Sequence, residues 1–129
     1  MRIAPFFGLV FLAATNLTAQ VPSGTTLSGI WQLKKGKVKA DGPKTVIIRT
    51  DSSASWGKET VRWRLKTDQI MIALGGEWEI YRLKLKGDQL TLSGGDLNDP
   101  ITLKRVGPAT ARPPNVPVPP DPDLEPSQH

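Results

Sequence analysis

The chain has 129 residues, with 17 Lys and Arg against 12 Asp and Glu for a formal net charge of +5, no cysteine and one histidine. Without cysteine there is no disulfide framework, thiolate metal site, thiol nucleophile or Cys-linked lipid anchor. The single histidine is the last residue, His129, so neither a His-based triad nor a zinc site can be assembled. The residues argue against an enzyme and call for no cofactor.

In chain order, Met1-Arg2 supplies a positive start, Ile3 to Ala14 is almost wholly apolar, and Thr15 to Ala19 is a short polar exit. This three-part pattern is that of a secretory signal peptide, residues 1–19, with cleavage after Ala19. The apolar run is too short for a span, which needs roughly 20 residues. Export to a periplasmic or extracellular compartment is expected, with no membrane span after cleavage. Asn16-Leu17-Thr18 matches a glycosylation acceptor but falls in the segment to be removed. Residues 20–26 read as a linker.

Residues 27–106 read as one all-β domain. Alternation predicts strands at 27–36, 44–51, 60–67, 69–74, 77–86, 88–93 and 100–106. Two stretches twenty residues apart nearly repeat: Arg64-Leu-Lys-Thr-Asp68-Gln69-Ile-Met-Ile72 and Lys84-Leu-Lys-Gly-Asp88-Gln89-Leu-Thr-Leu92. Each is a β-hairpin signature, so the middle of the domain is an antiparallel meander. Val61, Trp63 and Leu65 share one face of their strand, Ile70, Ile72 and Leu74 share another, and Leu90 and Leu92 a third. Strands apolar on one side only disfavour a parallel α/β sheet.

In the 77–86 strand Trp78 and Ile80 are out of phase with Tyr81, Leu83 and Leu85, which predicts a β-bulge near Ile80. Ser52 to Gly57 reads as a small-residue loop that places Trp56 near a barrel mouth or folded back as a lid, with local packing its expected role. Gly75-Gly76 and Gly94-Gly95 mark tight connections. The fold expected is a small antiparallel up-and-down barrel of seven to eight short strands, since closure protects the edges of so short a sheet.

Residues 107–129 hold eight prolines and almost nothing that could pack. They read as an extended, disordered tail of polyproline type, which at about 3.1 Å per residue reaches roughly 70 Å. Pro117-Val118-Pro119-Pro120 satisfies P-x-x-P, a spacing that any tract this rich in proline produces.

Ser28-Gly29-Ile30-Trp31 contains the G-x-W that opens the barrel of lipocalins and their calycin relatives, and Ile101-Thr-Leu-Lys-Arg105-Val106 ends in a basic residue as their last strand does. Over residues 27–106 the chain resembles a small bacterial lipocalin-like domain. The resemblance implies that Trp31 closes one end of the barrel and that Arg105 lies across its ring as a barrel-closing pair, a cation–π contact of about 0.5 to 2 kcal/mol. It departs from the family in lacking the Thr-Asp-Tyr-like middle motif and the C-terminal helix, and its strands are short.

Two functions follow from this. The first is binding of a small apolar ligand, with Trp63, Trp78, Ile72 and Leu85 as lining candidates; an eight-stranded barrel is only just wide enough for one small ligand or for its own side chains. The second is a solid barrel acting as an envelope interaction or inhibitor-like module. Residues 27–106 carry 15 Lys and Arg against 9 Asp and Glu, net +6, while the tail carries one Arg against three acids, net −2. Arg62, Arg64, Lys66, Arg82, Lys84 and Lys86 alternate with apolar residues on two strands, and if these strands are neighbours they form a cationic face suited to an anionic envelope component.

Nucleic acid is not the partner this pattern suits, because the aromatics fall on the inward phase. Ser55-Trp56-Gly57-Lys58 matches S-x-x-K without its companion motifs. Asp96-Leu97-Asn98-Asp99 lacks the ligand count of a calcium loop.

Overall fold

A computed structural model describes residues 22–38 and 42–124. The signal segment and cleavage site lie outside the described residues. Eight strands close an antiparallel barrel in chain order: β1 (Gly29–Lys35), β2 (Thr45–Ile48), β3 (Ser53–Trp56), β4 (Glu59–Lys66), β5 (Gln69–Leu74), β6 (Glu77–Lys86), β7 (Gln89–Ser93) and β8 (Ile101–Gly107). Every neighbour in sequence is a neighbour in the barrel, and β8 returns to β1. The up-and-down barrel expected from the alternation is therefore the fold.

The strand that alternation did not reveal is β3. Ser53-Ala54-Ser55-Trp56 was expected to be loop because small residues have little strand preference. Neighbouring strands decide otherwise. Ala54 pairs with Ile48 on one side and Val61 on the other and is fully buried. A small residue suits that crowded position.

The repeated hairpins are β4–β5 and β6–β7. Their turns are equivalent in detail: Thr67 and Gly87 both take positive φ, 53° and 59°. The carbonyl of Asp68 accepts from the amide of Leu83, and that of Asp88 from the amide of Arg105, both at 2.8 Å. Each Asp carbonyl thus ties its hairpin to the next strand in the wall.

Inward residues form one cluster that includes Trp31, Val46, Ile48, Val61, Trp63, Ile70, Ile72, Tyr81, Leu83, Leu85, Leu90, Leu92, Ile101 and Leu103. With strands contributing alternate residues inward, these side chains fill the axis. The β-bulge expected near Ile80 is absent. Pairing of β5 with β6 runs without a shift from Gln69↔Arg82 to Leu74↔Glu77, and the register shifts lie in β1, at Ile30/Trp31 and Leu33/Lys35. Unbulged, Trp78 and Ile80 stay on the outer face with Arg82, and Ile80 is 42% exposed.

A short turn of helix, α1 (Gly24–Leu27), precedes β1. Ser23 caps it, accepting from the Thr26 amide at 3.0 Å while the Ser23 amide donates to the Thr26 hydroxyl at 2.8 Å. Leu27 at its end is fully buried.

After β8, residues 108–121 form no strand or helix, in keeping with their prolines, and one 3₁₀ turn spans Pro122–Leu124. The segment is not detached from the barrel, however. Hydrogen bonds from Arg49 and Arg62 reach its carbonyls.

Candidate functional site

The barrel has two unlike ends. At the closed end Trp31 is fully buried, its Nε1 donates to the Leu27 carbonyl at 2.9 Å, and the Arg105 guanidinium lies 4.5 Å from the ring centroid. Trp31 and Arg105 are directly opposed across the β1–β8 ladder. Arg105 also donates to the carbonyls of Thr26 and Ser28 at 2.9 and 2.7 Å and to the Asp88 carboxylate at 2.9 Å. One side chain thus joins α1, the start of β1 and the β6–β7 turn over the Trp31 ring. The G of G-x-W has a physical role here: a Cβ on Gly29, whose φ is +152°, would stand 2.8 Å from Arg105 Cδ.

Next to this plug is a buried arginine that the sequence did not single out. Arg49 is 5% exposed and donates to the hydroxyls of Ser53 and Ser55 and to the Thr110 carbonyl. Its own carbonyl accepts from Trp63 Nε1 at 2.8 Å. Burial pushes the Arg49 pKa down, opposed by the charge of Asp51 and reinforced by Arg112. An arginine leaving a strand is ordinary in sequence. The tail adds to its enclosure, since the Thr110 carbonyl accepts from Arg49 Nε at 2.7 Å.

Asp51 accepts from the amide and hydroxyl of Ser53 and pairs with Arg112 at 3.1 Å. Burial would raise its pKa, but the Ser53 hydrogen bonds and the charges of Arg112 and Arg49 outweigh it and hold the carboxyl below its usual range.

The open end is a mouth. Trp56, at the end of β3, stacks on Tyr81 with ring centroids 5.5 Å apart. The Tyr81 hydroxyl donates to Asp96 Oδ1 at 2.7 Å. Burial, and then the Asp96 carboxylate, push the Tyr81 phenol far above its ordinary pKa. A cleft of about 220 Å³ opens there, lined by Val38, Gly42, Pro43, Trp56, Leu74, Leu97 and Ile101, with the carboxylates Glu59 and Asp96 among its walls.

The ligand-lining candidates do not come together. Trp63, Ile72 and Leu85 are buried core residues, and Trp63 borders a polar cleft at the closed end shared with Thr25, Thr50 and Ser52. Trp78 is on the outer wall, with the Arg64 guanidinium 4.7 Å from its ring centroid. Its expected inward position depended on the bulge that is absent. Its Nε1 is buried and has no hydrogen-bond partner among the described residues.

The cationic residues are divided. β5 separates β4, which carries Arg62, Arg64 and Lys66, from β6, which carries Arg82, Lys84 and Lys86. Lys66 and Arg82 meet across it through Gln69. Arg62 and Arg64 are taken up by the tail, whereas Lys66, Arg82, Lys84 and Lys86 have no ion pair among the described residues. Ser55 of the S-x-x-K match receives a hydrogen bond from Arg49. Among the described residues no three His, Cys, Asp or Glu side chains are grouped to hold a metal ion, and no helix is long and apolar enough to cross a membrane.

No protein-family model, curated protein or solved structure matches the chain. The closed eight-stranded barrel is compatible with a lipocalin-like domain, and that likeness rests on the barrel, the G-x-W strand and the Arg105 plug.

Proposed function

We propose that this is an exported, lipocalin-like, non-catalytic binding domain that takes a small apolar group at its open mouth. The observation that carries this reading is the 220 Å³ cleft walled by Val38, Pro43, Trp56, Leu74, Leu97 and Ile101. Ligand sites are concave and mostly apolar with a few polar groups, and typically occupy about 300 Å³ or more. A mouth smaller than that suits a compact molecule or a single ring. Glu59 and Asp96 favour one bearing a hydrogen-bond donor or positive charge. The packed axis argues against a deep calyx around Trp63, Ile72 and Leu85, each less than a tenth exposed.

The test is a titration of amide and indole NMR signals with indole, phenethylamine and decanoate. Shifts confined to Trp56, Leu74, Leu97 and Ile101 support the mouth. Shifts centred on Ile72 and Leu85 would restore the deep pocket, and a spectrum unchanged by all three ligands would overturn small-ligand binding.

A second reading, an interaction module for an anionic envelope component, is favoured by Arg82, Lys84 and Lys86, which are exposed on one strand and have no ion pair among the described residues. Binding to anionic vesicles that falls as salt rises, and falls further on charge reversal at these three positions, would support it.

A further inference from the structure

Part of the outer wall already carries a peptide, and the peptide is the chain's own residues 119–124. The Pro119 carbonyl accepts from Arg62 Nε at 2.8 Å. Arg64 forms ion pairs with both Asp121 and Asp123, the second at 3.0 Å. The Asp123 amide donates to Asp121 Oδ1 at 2.8 Å, closing the Pro122–Leu124 turn so that both carboxylates meet one guanidinium. That guanidinium also covers Trp78.

The chemistry of capture is specific. Prolines 119, 120 and 122 have no amide hydrogen and a preset φ, and the Asp123 and Leu124 amides are spent on Asp121 within the turn, so the segment presents mainly acceptors and is held extended at little entropic cost. The wall supplies the donors from Arg62 and Arg64. The segment forms no strand, and its Leu124 amide bonds back to the Asp121 carbonyl, so the Arg62 and Arg64 side chains hold it rather than strand addition. The wall also has a donor in excess: the buried Trp78 Nε1 meets no acceptor, although a buried donor normally finds one. The tail is thus an incomplete match to the chemistry of the wall beneath it.

We propose that the outer face around Arg62, Arg64 and Trp78 is a docking groove for an extended, proline-containing acidic peptide of a partner protein, and that residues 119–124 occupy it in cis as a competitor. A tethered segment acts at a local concentration on the order of millimolar, so a partner must bind more tightly than the tail or arrive when the tail is released. This proposal does not depend on the mouth.

The experiment uses the full chain and a fluorescein-labelled peptide of residues 115–124. In D121N/D123N, which neutralises the tail and leaves the barrel untouched, fluorescence anisotropy should show binding at least ~10-fold tighter than in the wild type, as expected when a tethered competitor is released. Adding R62Q/R64Q, or replacing both aspartates of the peptide by asparagine, should abolish it. Should the arginine variants lose the barrel's circular dichroism spectrum, raising salt to about 0.5 M on D121N/D123N replaces them and should weaken binding at least ~10-fold. Equal affinity for wild type and D121N/D123N, or binding indifferent to the carboxylates and to salt, overturns the proposal. A wild-type dimer that dissociates on D121N/D123N would put the tail on a second copy and overturn the cis arrangement.

Discussion

Arg105 can lie over Trp31 because Gly29 has no side chain: an added Cβ would stand 2.8 Å from Arg105 Cδ and 3.2 Å from the Gly107 carbonyl oxygen. The short G-x-W pattern therefore encodes a clearance as well as a ring, and its value can be measured.

Gly29→Ala should destabilise the domain by about 1 to 3 kcal/mol, the range for overpacking and for a side chain at positive φ. Arg105→Ala removes the Cδ that such a Cβ would meet and also the donors to Thr26, Ser28 and Asp88. If the clash with Arg105 is the cause, the Gly29→Ala penalty should shrink in an Arg105→Ala background. Urea midpoints of the four proteins make that double-mutant cycle.

Trp63 in the core and Trp78 on the outer wall should respond unequally to loss of the indole nitrogen. Trp63→Phe removes a bond to the Arg49 carbonyl and should cost about 1 to 3 kcal/mol, since an acceptor is left unpaired beneath the tail. Trp78→Phe removes a buried donor that has no partner, so the cost of the smaller ring is offset and stability should change far less. Equal losses in thermal unfolding would contradict this difference.

Thr67→Gly should stabilise the domain by up to about 1 kcal/mol. Thr67 is a β-branched residue at φ 53°, where the equivalent position in the next hairpin is Gly87 at 59°. Gly87→Thr should cost a comparable amount. Both are read from chemical denaturation.

Alkaline pH should unfold the domain through its only tyrosine. The folded pKa of Tyr81 is raised far above the unfolded value of about 10, so the folded state holds the phenolic proton more tightly. Its contribution is complete below pH ~10 and is lost progressively above it. Tyrosinate absorbance at 295 nm should thus appear together with loss of the β spectrum, and Tyr81→Phe should flatten the alkaline decline. Tyrosinate forming ahead of unfolding would show the phenol to be accessible.

Acid acts through Asp51 in the opposite sense. Its folded pKa is depressed, so its contribution is present above the unfolded value of about 3.9 and lost as pH falls through the folded one. Hydrogen exchange at the Ser53 amide, which donates to Asp51, should accelerate in that window relative to other β3 amides once intrinsic rates are removed. Asp51→Asn should suppress the difference.

Strand alternation made the hairpins legible because one wet and one dry face impose a period of two, and the near-repeat identified the two turns as equivalents. It failed at β3, where small residues have no pattern of their own, and at Trp78, whose inward position was expected from a β-bulge near Ile80 that the β5–β6 pairing does not contain. Arg49 was illegible for the same reason as the groove, since both depend on a segment more than 55 residues away in sequence.

By itself the sequence determined the all-β class, the meander and the proline tail, because these follow from local periodicity, turn chemistry and backbone restriction; the candidate Trp31–Arg105 pair came from the resemblance of its G-x-W and last strand to lipocalins. Tertiary structure alone decided that the axis is packed, that the cleft is at the mouth, and that the acidic tail lies against Arg62 and Arg64. Those outcomes depend on which side chains meet across the closed wall, and no local pattern in the chain records that meeting.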